Sequence, residues 1–349
     1  MPRRTTLKDV AAQAGVSAST VCRALGSSPK IPDCTRARIR KIATSLGYRP
    51  DPLLSALAKQ RHGGTAGSDI RTIAYITNFP TSDFWHGHTF YDPVFKGAQA
   101  HAARHGYKLE HFWLGEPGMT PHRLGRILTN RGIQAVCIAP TPIARSHMEF
   151  DWDRFSGVTL GYSLQKPDLH RTAPHHFHGI LTATQKLHAL GYERIGLCIF
   201  AGSSKRVDDL WLAGALLAEQ THPGLTLKVF LFDNSSAQQI SAWAKNNHFD
   251  VIISDNADVM TELQRHGISV PGDIDYATLN WTPTETRIAG IDQRPAAIGA
   301  GAVDLVIAQL NRGERGIPLL PATTLIEGTW INGPSIRKKK SLTKSLTSL

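Results

Sequence analysis

Ala18, Ser19, Cys22 and Arg23 are spaced to share the outer face of a short helix, where small side chains, a hydroxyl and a guanidinium can enter a DNA major groove. That chemistry is noncovalent. For covalent chemistry the chain offers little: no G-x-S-x-G elbow, no G-x-x-x-x-G-K-[ST] phosphate loop and no complete G-x-G-x-x-G occurs. Gly299 and Gly301 lack the third glycine and lie in a helical pattern, while Ser203, Ser204 and Lys205 read as a polar loop. An enzyme is therefore not expected, and no cofactor is implied. His170, His175, His176 and His178 form the one metal-like cluster, but His175 and His176 point to opposite faces of an extended segment. No cysteine or carboxylate follows at ligand spacing, so no metal is expected either. Cys22, Cys34, Cys137 and Cys198 are scattered without a C-x-x-C pair, which suits reduced packing thiols.

The elements that must position the groove-facing residues are two short helices. Leu7, Val10, Ala11 and Ala14 fall at i, i+3, i+4 and i+7, the spacing of one apolar helical face. Gly15 supplies a left-handed turn, Val16 plugs the angle, and Ser17 is placed to cap the second helix, whose inward positions are Val21 and Leu25. The result is a helix-turn-helix over Thr6 to Leu25. A third helix within Ile31 to Tyr48 carries Ile39, Ile42, Ala43 and Leu46 inward and ends at Gly47. Residues 50–61 predict a short amphipathic helix behind two prolines, and Gly63 to Ser68 a flexible linker.

Charge agrees with a nucleic-acid partner once it is divided along the chain. The total of +11 splits into net +9 over residues 1–62, −3 over 63–333 and +5 over 334–349. The field that releases counterions from phosphates is thus confined to the ends. With 349 residues there is room for a small headpiece plus larger domains with proper cores. No apolar stretch approaches the roughly 20 residues of a membrane span, and no apolar signal core follows Arg3-Arg4, so a cytoplasmic location is expected.

From Arg71 onward apolar strands alternate with amphipathic helices. Strands are expected at 72–77, near Leu109, at 133–139, 157–162, 194–200, 228–232, 250–254 and 274–279, with helices across 179–190, 210–219 and 296–311 among them. Two rounds of about a hundred residues predict two doubly wound α/β subdomains, with ligands in the crevice at the carboxyl ends of the strands.

The D-V-A-x-x-A-G-V-S-x-x-T-V-x-R-x-L run from Asp9 to Leu25, the L-G-Y at Leu46 to Tyr48 and Pro50 behind it resemble the lactose-repressor (galactose-repressor) type of bacterial transcription regulators. H-G-Y-K-L at 105–109, L-G-Y-E-R-I at 190–195, L-A-G at 212–214, V-P-G-D-I at 270–274 and L-I-E-G-T-W from Leu325 extend the resemblance to about Gly333. It implies an all-α headpiece over 1–49, a hinge helix and linker over 50–68, and a periplasmic-binding-protein-like core over 69–333. Within that core, the N-subdomain would take about 69–165 plus 291–321 and the C-subdomain about 166–290 plus 322–333. Residues 334–349, with Lys338, Lys339 and Lys340, are expected to be a basic disordered tail.

The resemblance further implies a homodimer on pseudo-palindromic double-stranded operator DNA. Ala18, Ser19 and Arg23 match base-reading positions: Arg23 can offer a bidentate fork to guanine, and Ala18 an apolar contact to a thymine methyl. Ser17 and Thr20 suit phosphates, as does Arg36 on the third helix. Leu57 matches the hinge leucine that wedges into the minor groove, although Asp51 and Leu54 replace the usual asparagine and alanine there. Phe90 and Tyr91 match an aromatic pair flanking the effector, while Trp211 and Asn280 stand where an arginine and an aspartate are common. With both formal charges gone, the expectation is a weakly polar or aromatic-stacked small-molecule effector, or none.

Overall fold

The computed structural model describes residues 5–25, 31–48, 71–234 and 239–338. Its contacts divide the chain into two compact units, one ending at Asp69 and the other beginning at Ile70.

The first unit holds helices α1 (Leu7–Ala14), α2 (Ala18–Leu25) and α3 (Asp33–Ser45). Thr6 starts α1 through a reciprocal cap in which Asp9 accepts the Thr6 amide at 2.7 Å. Gly15 ends it at φ 62°, a backbone angle that an L side chain resists. The Ser17 hydroxyl then accepts the Thr20 amide at 3.2 Å and opens α2. Val10, Val21, Ala24 and Ile39 are fully buried where the three helices meet. Leu25, expected inward, is only half-buried, and Ala24 takes the central place because a smaller side chain lets α2 approach its neighbours closely. The hinge-helix candidate, residues 50–61 with Leu57, lies outside the described residues.

The second unit is two sheets covered by helices on both faces. In chain order the N-terminal lobe has β1 (Arg71–Thr77), α4 (Tyr91–Arg104), β2 (Tyr107–Trp113), α5 (Pro121–Asn130), β3 (Ala135–Ile138), a short pair β4 (Ser146–His147) and β6 (Leu164–Lys166), β5 (Ser156–Leu160) and β7 (His170–Pro174). The C-terminal lobe adds α6 (His176–Ala189), β8 (Arg194–Phe200), α7 (Ala201–Arg206), α8 (Leu210–Thr221), β9 (Thr226–Phe232), α9 (Gln239–Asn247), β10 (Val251–Ser254), α10 (Asp258–Arg265), β11 (Asp275–Thr278) and β12 (Ala289–Asp292). The chain then returns through α11 (Pro295–Arg312) and β13 (Thr323–Ile326) and ends its sheets with β14 (Thr329–Ile331). Strand order is β13-β7-β5-β3-β1-β2 in one sheet and β14-β12-β11-β10-β8-β9 in the other, parallel throughout except β12 against β14. Fully buried strands such as β3 and β10 are accordingly continuous apolar runs.

This topology moves the expected subdomain borders. β7 pairs with β5 and β13 with β7, so residues 170–174 and 323–326 belong to the N-terminal lobe rather than to the C-terminal one. β12 joins β11, so Ile291 and Asp292 stay in the C-terminal lobe. The three crossings therefore lie at 174–176, 292–295 and 326–329. The tail also starts later than residue 334: Ser335 is buried and accepts the Ala289 amide, and Arg337 pairs at 2.7 Å with the fully buried Asp275. Ser203, Ser204 and Lys205 form part of helix α7 rather than a loop, anchored by Asp209, which accepts from both the Ser204 hydroxyl and the Lys205 ammonium at 2.7 Å.

Candidate nucleic-acid interface and ligand cleft

On the headpiece, the helical period of α2 separates buried from exposed positions. Val21 and Ala24 fix one face in the core, leaving Ser19 and Arg23 exposed and Ala18, Thr20 and Cys22 half-exposed on the other. Ser17 and Thr20 are linked by hydroxyl contacts at the amino end of α2, with Ser17 to Ser19 at 2.8 Å and Ser17 to Thr20 at 2.9 Å. Free amide groups and the positive end of the helix dipole make that end suited to phosphate oxygens. Arg36 differs from the expectation of a freely extended phosphate ligand: its guanidinium donates to the Ile31 carbonyl at 2.9 Å and pairs with Asp33 at 2.9 Å. It braces the entrance to α3.

In the second unit, the carboxyl ends of β5, β8, β10 and β11 and the amino end of α4 surround a cleft of about 420 Å³ between the two lobes. Phe90, Tyr91, Trp211 and Asn280, chosen from three separate stretches of sequence, all line it. Their roles divide unequally. Trp211 is 3% and Tyr91 5% exposed, so each is mainly a wall rooted in its lobe's core. Asn280 donates to the Asp255 carbonyl at 2.6 Å and accepts from Gln293, so both ends of its amide brace the cleft floor. Phe90 and Tyr91 open α4 beneath His88, whose Nδ1 accepts both of their amides, at 3.1 and 3.4 Å. That acceptor role requires a neutral imidazole, and burial, with nearby Arg206 adding to it, holds the His88 pKa below its ordinary value.

Three lining groups lie outside the site residues named from the sequence. His176, a member of the histidine cluster that with His175 replaces a common Asp-Asn pair and so suggests altered ligand chemistry or subdomain contact, faces Trp211 edge to face with 5.0 Å between ring centres. Burial pushes its pKa down to about 3, and its Nδ1 has no protein partner among the described residues. Arg206, at the end of α7, donates to the Tyr91 hydroxyl and lies over that ring, while its buried Nε has no partner among the described residues. Asp255 follows β10, accepts the Phe200 amide at 3.0 Å, and has its pKa raised by burial against the pull of those hydrogen bonds. The signal for Asp255 was its place directly after an apolar strand, the usual ligand end of a parallel sheet. A guanidinium and carboxylates therefore reach the cleft from other positions than those vacated by Trp211 and Asn280. Besides Arg206 and Asp255, Asp258 and Glu285 also line it, so the cleft keeps formal charges despite the replacement of the common arginine and aspartate by Trp211 and Asn280.

The remaining histidines of the cluster diverge. His170 Nδ1 accepts the Ala322 amide, His175 Nδ1 accepts the His178 amide to cap α6, and His178 pairs with Glu327 at 2.6 Å. His175 as cap explains why α6 starts at His176, before the Gly179 that the sequence pattern indicates.

The description "Bacterial regulatory proteins, lacI family" matches residues 6–51, and "Periplasmic binding protein-like domain" matches residues 184–331. The chain therefore carries a lacI-family helix-turn-helix domain and a periplasmic-binding-protein-like domain. The HTH-type transcriptional repressor CytR of Escherichia coli (strain K12) is 33% identical over 102 residues, 29% of this chain and 26% of that protein. The regulator GalS of Salmonella typhimurium (strain LT2) is 29% identical over 206 residues, 58% of this chain and 55% of GalS. The chain thus spans between a quarter and about half of these curated lacI-family relatives. Among solved structures, a CelR–cellobiose complex has a TM-score of 0.57 at 17% identity, covering 95% of this chain and all of that one. A lac repressor dimer bound to operator and an anti-inducer has a TM-score of 0.55 at 17% identity, covering 95% of this chain and 99% of that one. Both share the arrangement of an N-terminal helical unit followed by two α/β lobes.

Proposed function

We propose that this protein is a lacI-family sequence-specific transcription regulator, a repressor, that binds pseudo-palindromic operator DNA as a homodimer in the cytoplasm. The observation that carries the reading is the exposed face of α2, on which Arg23 and Ser19 project while Val21 and Ala24 hold the helix in place. In this reading α2 enters the major groove, with Arg23 reading guanine and Ser17 and Thr20 fixing register on phosphates. Leu57, outside the described residues, takes the minor-groove wedge by resemblance. Dimerisation is supported by Leu216 and Leu217 on α8 and Val229 and Leu231 on the edge strand β9, all at least 39% exposed. Val229 and Leu231 share the strand face that Leu227 buries beside α8, so these side chains lie on one side of the lobe.

The cleft takes a small polar effector that is not an anion. Asp255, Asp258 and Glu285 face a single arginine, and that arginine already engages Tyr91. A phosphate would meet this acid excess without a free fork. His176 Nδ1 and Arg206 Nε, without partners among the described residues, offer hydrogen bonds to a neutral ligand, against Trp211 and Tyr91 as apolar walls. If the headpieces dock on DNA in only one of two lobe arrangements, an effector that binds those arrangements unequally changes operator affinity, and occupation of the cleft and of DNA are linked reciprocally. Selection of bound sequences from random duplex DNA tests the main claim: a two-fold-related consensus is expected, and no enrichment over competitor at moderate salt overturns it. Calorimetric titration with a metabolite panel tests the cleft. Tight binding of a hexose phosphate would contradict the effector class.

A further inference from the structure

Helices α4 and α11 lie backbone to backbone in the N-terminal lobe. A Cβ on Gly97 would sit 2.2 Å from the Ala296 carbonyl oxygen, and one on Gly299 would sit 2.0 Å from that of Val94, so both positions must lack a side chain. This close approach has a consequence one turn further along the pair. There His101, on α4, and His105, directly after its last residue, stand opposite Asp304 on α11. The two imidazoles are four residues apart, the spacing that places paired histidines on one helical face in zinc sites. His101 Nε2 is 2.7 Å and His105 Nε2 3.9 Å from the same Asp304 Oδ1, with 4.7 Å between ring centres. One ligand atom from each of the three residues falls within 4.8 Å of the others.

We propose that His101, His105 and Asp304 form a divalent transition-metal site that staples α4 to α11. Two imidazole nitrogens and a carboxylate oxygen are a borderline donor set, matched to Zn²⁺ and its neighbours rather than to Mg²⁺ or Ca²⁺. Zinc holds such donors at about 2.0–2.2 Å, which puts tetrahedral donor pairs roughly 3.3 Å apart, between the two distances observed here. A proton satisfies the cluster less well, because a carboxylate oxygen within hydrogen-bond reach of His101 leaves His105 beyond it. A metal ion engages all three, and the remaining coordination positions face water. The second histidine-carboxylate group, His175, His178 and Glu327, is the internal comparison: there the His175 Nδ1 is already committed to the amide that opens α6.

The test uses the full-length protein and zinc chloride alone. Histidines are mapped by carbethoxylation and mass spectrometry with and without Zn²⁺, and affinity is measured by equilibrium dialysis. Saturable protection of His101 and His105 together is expected, with affinity reduced by roughly tenfold or more in Asp304→Asn and in His105→Ala but unchanged in His178→Ala. Far-UV circular dichroism of these surface variants separates a lost ligand from a lost fold, and the visible absorption of Co²⁺ in place of Zn²⁺ reports its donors directly. Protection confined to other histidines, or wild-type affinity in a folded His101→Ala/His105→Ala double variant, overturns the proposal.

Discussion

The headpiece and the two-lobed body place their polar residues in opposite ways. In the headpiece the candidate side chains stand outside a miniature core in which Ile39 is the largest fully buried side chain, and they come from the cap and the first two turns of one helix. In the body the candidate binding groups point inward, converging from α4, α6, α7, α8 and the loops after β10 and β11. A surface that meets a large rigid polymer needs only one well-held helix. A cleft that encloses a small molecule needs walls from several elements, and their cores must first be built.

The strongest way to break this contrast is to attack the smaller core. Ile39→Ala removes a fully buried side chain at a cost of about 2–5 kcal/mol, comparable to the whole stability expected of so small a unit. Operator binding in a gel-shift assay should disappear, while the thermal transition of the body, followed by calorimetry, stays within a degree or two. A body that melts earlier by a wide margin would show the two units to be coupled in stability. Next in size, Arg23→Ala is expected to cost about 1–3 kcal/mol of operator affinity, roughly tenfold to hundredfold, by removing a base contact. Binding to random competitor DNA should change little, and equal losses on both would reduce Arg23 to a phosphate contact.

The body supplies a pH-dependent prediction. His176 is held neutral in the fold down to about pH 3, whereas the unfolded chain takes up that proton near pH 6.5. Its contribution to stability is therefore complete above about pH 6.5 and declines as pH falls toward 3, by up to about 1.4 kcal/mol per pH unit. His176→Gln should flatten the decline in melting temperature between pH 6.5 and 5, and an unchanged slope would place the acid sensitivity elsewhere. The smallest effect belongs to Ser17→Ala, which removes the cap of α2 and should destabilise the headpiece by about 1 kcal/mol, read from its own unfolding transition.

The same contrast explains what was legible in the sequence. The helix-turn-helix is visible because a glycine, a capping serine and an i, i+3, i+4 pattern all act within twenty residues, and only the exchange of Leu25 for Ala24 in the core escaped, since the two occupy adjacent positions. In the body, strands such as 194–200 and 72–77 are continuous apolar runs and fall where expected. The lobe borders did not, because β7, β13 and β14 are short, and pairing rather than composition assigns them. Phe90, Tyr91, Trp211 and Asn280 meet at one cleft, yet Arg206 and Asp255 went unnoticed there, and His176 was legible only as a sign of altered ligand chemistry or subdomain contact. Nothing local distinguishes an arginine at the end of a six-residue helix, or a histidine beside two others, until distant segments close around it. Glu327 shows the same limit: it meets His178 across 149 positions of chain.

The three crossings between lobes set an order of events during synthesis. The N-terminal lobe needs α11 and β13 to cover and extend its sheet, and the C-terminal lobe needs β14 and the Arg337 contact to Asp275 to finish its own. As the chain emerges from the ribosome at about 5–20 residues per second, the helical headpiece has all of its segments within the first fifty residues. The N-terminal lobe cannot complete its sheet until β13 at 323–326 has followed, nor the C-terminal lobe until β14 at 329–331, so the three headpiece helices can pack long before either lobe is finished.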